Sequence, residues 1–245
     1  ACGAAIAERT WTTIGLERKH NLKLQYTDRD AFVANVGEIM EYPPYFSMME
    51  VLNLEGPPVL GSLPAVPALR PYEFAAQATD AQVVDTRMVT GFGAAHVPGA
   101  LSIWEAGLPR FAGWFLTYNR PLLLVTETND VSQPVRYLTR MGYDNVAGFL
   151  SGGMHAWHKA GLASESTETI TVQDLCDYLD EGREPWILDV RSQGEVEQNE
   201  IPTAHHLHLT QLPERMDEVL HGQRIYVFCG SGLRSTIAAS LLQRA

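Results

Sequence analysis

Cysteine is scarce in this chain: Cys2, Cys176 and Cys229 are the three among 245 residues. They are too few and too far apart for a disulfide framework or a paired-cysteine metal site. Positive charge is short as well. Eighteen Lys and Arg face 29 Asp and Glu, a formal net charge of −11 at pH 7. That balance argues against nucleic-acid or anionic-membrane binding, because both need basic patches. The sequence shows no long apolar span, no signal peptide with an apolar core and no initiator Met before Ala1. What remains is an ordinary globular composition. Apolar residues make up 45%, and the length predicts one or two domains. The expected partners are therefore small molecules. A reducing, cytoplasmic setting suits a free reactive thiol.

One of the three cysteines sits in an informative place. In Arg224-Ile-Tyr-Val-Phe-Cys-Gly-Ser-Gly-Leu-Arg-Ser-Thr-Ile-Ala-Ala-Ser-Leu-Leu-Gln-Arg244, the run Ile225 to Phe228 reads as a buried strand. A loop with two glycines follows, and Ser235 opens an Ala/Leu-rich helical stretch. The Cys229 thiol thus falls between a strand end and a helix N-terminus. Unpaired N–H groups and the helix dipole there favour an anion. Such sites lower a thiol pKa from about 8.5 to roughly 3.5–7.5, which makes the sulfur a nucleophile. A buried structural cysteine is the bland alternative, but it leaves Gly230, Gly232 and Arg234 unexplained. From Cys229 to Arg234 the pattern is C-x-x-x-x-R. A phosphatase or arsenate reductase loop needs one residue more, and the next position here is Ser235. The tighter cradle suits one sulfur atom.

The chain also repeats. Val83-Val-Asp-Thr-Arg87 matches Ile187-Leu-Asp-Val-Arg191, Val97-Pro-Gly-Ala100 matches Ile201-Pro-Thr-Ala204, and Leu138-Thr-Arg140 matches Leu242-Gln-Arg244, all offset by 104 residues. Two copies of one α/β unit are expected. The same shift sets Val125 opposite Cys229 and Asp130 opposite Arg234. The first loop, Thr126-Glu-Thr-Asn-Asp130, has no thiol and two carboxylates, so it can cap a helix but cannot carry sulfur. The first copy then runs through Val146 to Leu150, a last strand, into Gly152-Gly-Met-His-Ala-Trp157 and Gly161. The second copy stops at Ala245 before any equivalent, which predicts roughly 20 further residues in the biological protein.

The active loop, the repeat and the G-G-x-x-x-W-x-x-x-G run together resemble the rhodanese (sulfurtransferase) family. The resemblance implies two tandem domains, each a parallel sheet flanked by helices, with the cysteine kept only in the C-terminal copy. It implies Cys229 and Arg234 as catalytic residues and Gly230, Ser231, Gly232, Leu233 and Ser235 as the substrate-binding loop, with no metal site. Small sulfur compounds would be donors and a thiol or cyanide the acceptor, with a homodimer as a further option. The absence of a second basic loop residue sets this chain apart from many active relatives and weakens the case for thiosulfate as donor.

Residues 1–66 read as an irregular or helical linker before domains at 67–163 and 167–245. Asp28 caps a short helix running to Met40, while Tyr42-Pro-Pro-Tyr-Phe46 and Leu54-Glu-Gly-Pro-Pro-Val-Leu60 read as extended. Ala1-Cys-Gly3, Thr27 to Val33, Pro43 to Met49, Asn53 and Gly56-Pro57 resemble the region that joins a metallo-β-lactamase-fold domain to tandem rhodaneses. That implies a metal ion in a preceding domain of persulfide dioxygenase or hydrolase type. No cofactor is expected in this chain, where the H-x-H-x-D-H signature is absent. The second function weighed is a docking or dimerisation module for such a domain. Other residues read as structural: Cys176 in a core stripe with Val172, Leu175 and Leu179; Asp189 and Arg191 at a strand end; Trp104, Trp114 and Trp186 in packing. His206 and His208 share a strand face but lack a third metal ligand.

Overall fold

The computed structural model describes residues 11–37, 42–219 and 222–245. The chain divides into two compact units, Ala1–Tyr42 and Pro43–Ala245. In the first, α1 (Ile14–His20) and α2 (Arg29–Val36) bury no residue among those described. Thr13 caps α1 through Leu16 N at 3.2 Å, and Asp28 caps α2 through Ala31 N at 2.9 Å. Gly37 closes α2. The expected extension to Met40 and the Ala1-Cys-Gly3 motif lie outside the described residues.

The second unit opens with a helix, inside the stretch expected to be an irregular or helical linker. Phe46–Glu55 forms α3, and Tyr45, Leu63 and Val66 pack against the main core. A Cβ at Gly113 would fall 2.1 Å from the Tyr45 ring, so a glycine there permits the approach. The first repeat follows as β1 (Ala68–Leu69), α4 (Pro71–Ala78), β2 (Gln82–Asp85), α5 (Val89–Ala94), β3 (Leu101–Ser102), α6 (Leu108–Phe115), β4 (Leu122–Val125), α7 (Ser132–Arg140), β5 (Val146–Leu150) and α8 (Gly153–Lys159). Its five strands are all parallel, in the order β1-β5-β4-β2-β3. Every residue of β2 and β4 is buried, as a sheet covered on both faces requires. Phe74 of α4 is fully buried edge-on against Trp157 of α8, with ring centroids 6.1 Å apart. Burying such a side chain contributes roughly 1.5–3 kcal/mol.

The second repeat holds α9 (Val172–Asp180), β6 (Trp186–Asp189), α10 (Gln193–Gln198), β7 (Ala204–His206), β8 (Ile225–Phe228) and α11 (Leu233–Arg244). Its parallel sheet has the order β7-β6-β8. Among the described residues it has no counterpart of β1 or β5. The outer edge of β8 is therefore unpaired, and Ile225–Phe228 is half-buried where full burial was expected. The same gap leaves α9 open. Val172 is 71% exposed and Cys176 is exposed, so the expected core stripe does not form around this thiol.

The repeat is visible in detail. Arg87 grips Asp85 and donates to Ala95 O at 2.7 Å; Arg191 grips Asp189 and donates to Asn199 O at 2.7 Å. Both aspartates are buried, so each ion pair holds a strand end to the following helix. One part of the alignment slips. Asp85 pairs with Val125 in the first sheet, and Asp189 pairs with Phe228 in the second. From Val125 to Phe228 the offset is 103, one less than elsewhere. Thr126, not Val125, therefore occupies the place of Cys229. The extra residue of the second copy lies between β8 and the end of α11.

The two repeats interlock. α11 packs on β8 and also across β3 and α5 of the first repeat. Ser102 N donates to the buried Ser240 Oγ at 3.1 Å. One core cluster joins Val84, Leu101 and Ile103 to Leu188, Val190 and Ile237.

Candidate active site

β8 delivers Cys229 to the end of the sheet, and Gly232 turns the chain into α11. Gly232 has φ 81°, a left-handed conformation that L side chains resist, and it forms the N-cap. The helix accordingly begins at Leu233, two residues before the expected start at Ser235. This turn folds the helix N-terminus back over the sulfur. Gly232 N donates to Cys229 Sγ at 3.2 Å and Ser235 N at 3.3 Å. Ser235 Oγ lies 3.5 Å from Sγ and donates in turn to Gly232 O at 3.0 Å. Burial pushes the Cys229 thiol up, but the Ser235 hydroxyl and the amides of Ser231, Ser235 and Gly232 outweigh it and bring the pKa below the ordinary thiol value. Donors that converge on one sulfur can stabilise a thiolate, or the terminal sulfur of a persulfide.

Arg234 does not face the sulfur as a free cation. Its guanidinium forms a bidentate pair with Glu195 of α10, at 2.7 and 2.6 Å. Glu195 also accepts from Ser192 N at 3.1 Å and Ser192 Oγ at 2.7 Å, completing a capping box on α10. The Arg234 guanidinium, first of all, and the Ser192 hydroxyl hold the Glu195 carboxyl far below the usual carboxylate range. Sequence reasoning missed Glu195. The Ser192-x-x-Glu195 pattern signals a helix start, but nothing in it tells that this carboxylate meets a loop 39 residues away.

A cavity of about 670 Å³ opens beside Cys229 along the free edge of β8. Cys229, Gly230, Ser231, Gly232 and Ser235 line it, with Tyr226 and Phe228 of β8 and Val89 and Thr90 of the first repeat. Leu233 and Arg234 are not among its lining residues. The histidines are engaged elsewhere. His206 Nε2 lies 2.8 Å from Arg191 O, and His205 stacks on Trp186 with centroids 4.5 Å apart. Among the described residues no three His, Cys, Asp or Glu are grouped to hold a metal ion. In the first repeat, Thr126 Oγ1 donates to Thr128 O and Asp130 accepts from Ser132 N at 2.9 Å, so that loop caps α7.

A family model described as "Rhodanese-like domain" matches residues 71–160 and 171–245. The chain belongs to the rhodanese-like domain family. It carries two such units, and its sheets and helices follow the α/β arrangement expected of them. YtwF of Bacillus subtilis (strain 168), whose name proposes a sulfurtransferase, is 37% identical over 67 residues, 27% of this chain and 64% of that protein. YrkF of the same organism, whose name proposes a sulfur carrier, is 31% identical over 93 residues, 38% of this chain and 48% of that protein. The chain thus spans between about half and two thirds of the length of these curated rhodanese-like relatives. A solved metallo-β-lactamase structure from Staphylococcus aureus subsp. aureus COL is similar at 22% identity with a TM-score of 0.49, over 57% of this chain and 38% of that one.

Proposed function

We propose that the second rhodanese-like unit is a sulfurtransferase that carries sulfane sulfur on Cys229. The observation that supports this reading is the convergence of the Gly232 and Ser235 amides on one sulfur at a strand-to-helix turn. The thiolate attacks the outer sulfur of a donor, and the donor's remainder leaves with the bonding electron pair. With thiosulfate the leaving group is sulfite; with a persulfide it is the parent thiolate. An acceptor thiolate or cyanide then takes the outer sulfur and returns the Cys229 thiolate, in a ping-pong cycle. Gly230, Ser231, Gly232 and Ser235 hold the persulfide, Arg234 orders the loop through Glu195, and Leu233 opens the helix. The first unit, residues 67–163 in this reading, is inert and braces α11. Residues 1–66 continue from a metallo-β-lactamase-fold domain that would hold its own metal ion, and the protein works in a reducing, cytoplasmic setting. Among the described residues no helix is long and apolar enough to cross a membrane. The direct assay is cyanide-coupled thiocyanate formation with thiosulfate and with glutathione persulfide. Cys229→Ser is expected to abolish it, and an unchanged rate in that variant refutes the reading.

A further inference from the structure

Resting on the sulfurtransferase reading, we propose that Glu195 masks the charge of Arg234 and so selects donors whose charge lies away from the transferred sulfur. Glu195 is a positioning residue here, not a catalytic one, because it meets the loop arginine and not the sulfur. Two ion pairs sit under the loop. Arg234 is tied to Glu195, and Arg191 to Asp189 while also lying 3.4 Å from Glu195 O. Two cations and two carboxylates cancel. Gly230, Ser231, Gly232 and Leu233 add no charge. Among the described residues lining the cavity, Arg224 is the one cation, and it pairs with Glu168 at 3.2 Å. The sulfur is therefore held by the positive ends of N–H dipoles, with no net formal charge among the paired side chains beside it. Such a cradle accommodates the single charge of a thiolate or a persulfide. It offers nothing to the sulfonate end of thiosulfate, which brings two negative charges up to a thiolate. A zwitterionic persulfide that reacts in its protonated R–S–SH form keeps its ammonium and carboxylate charges several bonds from the reacting sulfur. In that transfer the Cys229 thiolate bonds to the outer sulfur, the donor's S–S bond breaks, and the donor thiolate leaves with the electron pair.

The test uses the full chain and two variants. Glu195→Gln keeps a capping-box residue at the start of α10 but frees the Arg234 charge. Glu195→Gln with Arg234→Gln restores neutrality. The ratio of kcat/KM for thiosulfate to that for cysteine persulfide is expected to rise about tenfold in the single variant, by attraction of the dianion to an unmasked cation. It should return to the wild-type ratio in the double variant. Iodoacetamide alkylation of Cys229 against pH gives a readout free of donors. Its midpoint should fall by about one unit in the single variant, as a nearby cation favours the thiolate, and recover in the double. An unmoved midpoint and ratio overturn the charge-masking inference while leaving the sulfurtransferase reading intact. A shifted midpoint without sulfur uptake from either donor overturns that reading and donor selection with it.

Discussion

At the scale of single residues, the chemistry proposed for this rhodanese-like protein turns on where one backbone turn puts one sulfur. Cys229 is 6% exposed, a degree of burial that alone would raise a thiol pKa. The amides brought in by the Gly232 turn reverse the sign. A side chain at Gly232 would force a left-handed conformation that costs roughly 1–2 kcal/mol. The first repeat shows what happens without that turn. Thr126 stands in the place of Cys229, but its hydroxyl is spent on Thr128 O and the loop carries Glu127 and Asp130. Thr126→Cys in a Cys229→Ser background is therefore expected to give no thiocyanate above background. Turnover by that double variant would show that a thiol at a strand end is enough without the converging amides.

At the scale of elements, the strand, loop and helix around Cys229 were legible because each carries a local signal: the apolar run Ile225–Phe228, two glycines, then an Ala/Leu-rich stretch. The Asp28 cap, the last strand Val146–Leu150 and the paired Asp-x-Arg motifs were legible for the same reason. The misses have a common cause in tertiary context. The register slip between β4 and β8 was hidden because Val125 and Phe228 are both apolar strand-end residues, and only strand pairing tells them apart. The apolar spacing of α9 was real, but among the described residues none of its side chains is fully buried. Loop length offers the sharpest test at this scale. One Gly inserted between Gly232 and Leu233 moves the helix amides away from the sulfur. Sulfur transfer should fall by roughly 10²-fold, the scale of losing an aligned donor, and the wild type should not hydrolyse aryl phosphates. Undiminished transfer after the insertion, or phosphatase activity in the wild type, would mean that loop size does not set the chemistry.

At the scale of the whole molecule, a copy whose loop has no thiol packs against the copy that carries Cys229. The shared core and the Ser102–Ser240 contact tie α11, whose N-terminus faces Cys229, to the edge strand of the first repeat. The 104-residue repeat made the tandem plan legible, but not this interlock, since it pairs residues without any common motif. The central claim remains that sulfur rides on Cys229. Its most direct test is mass spectrometry of the full protein, digested after treatment with a persulfide donor. One added sulfur, about 32 Da, is expected on the peptide that contains Cys229, as persulfide formation at a nucleophilic thiolate requires. Sulfur added only at Cys2 or Cys176, with the Cys229 peptide unmodified, would contradict it.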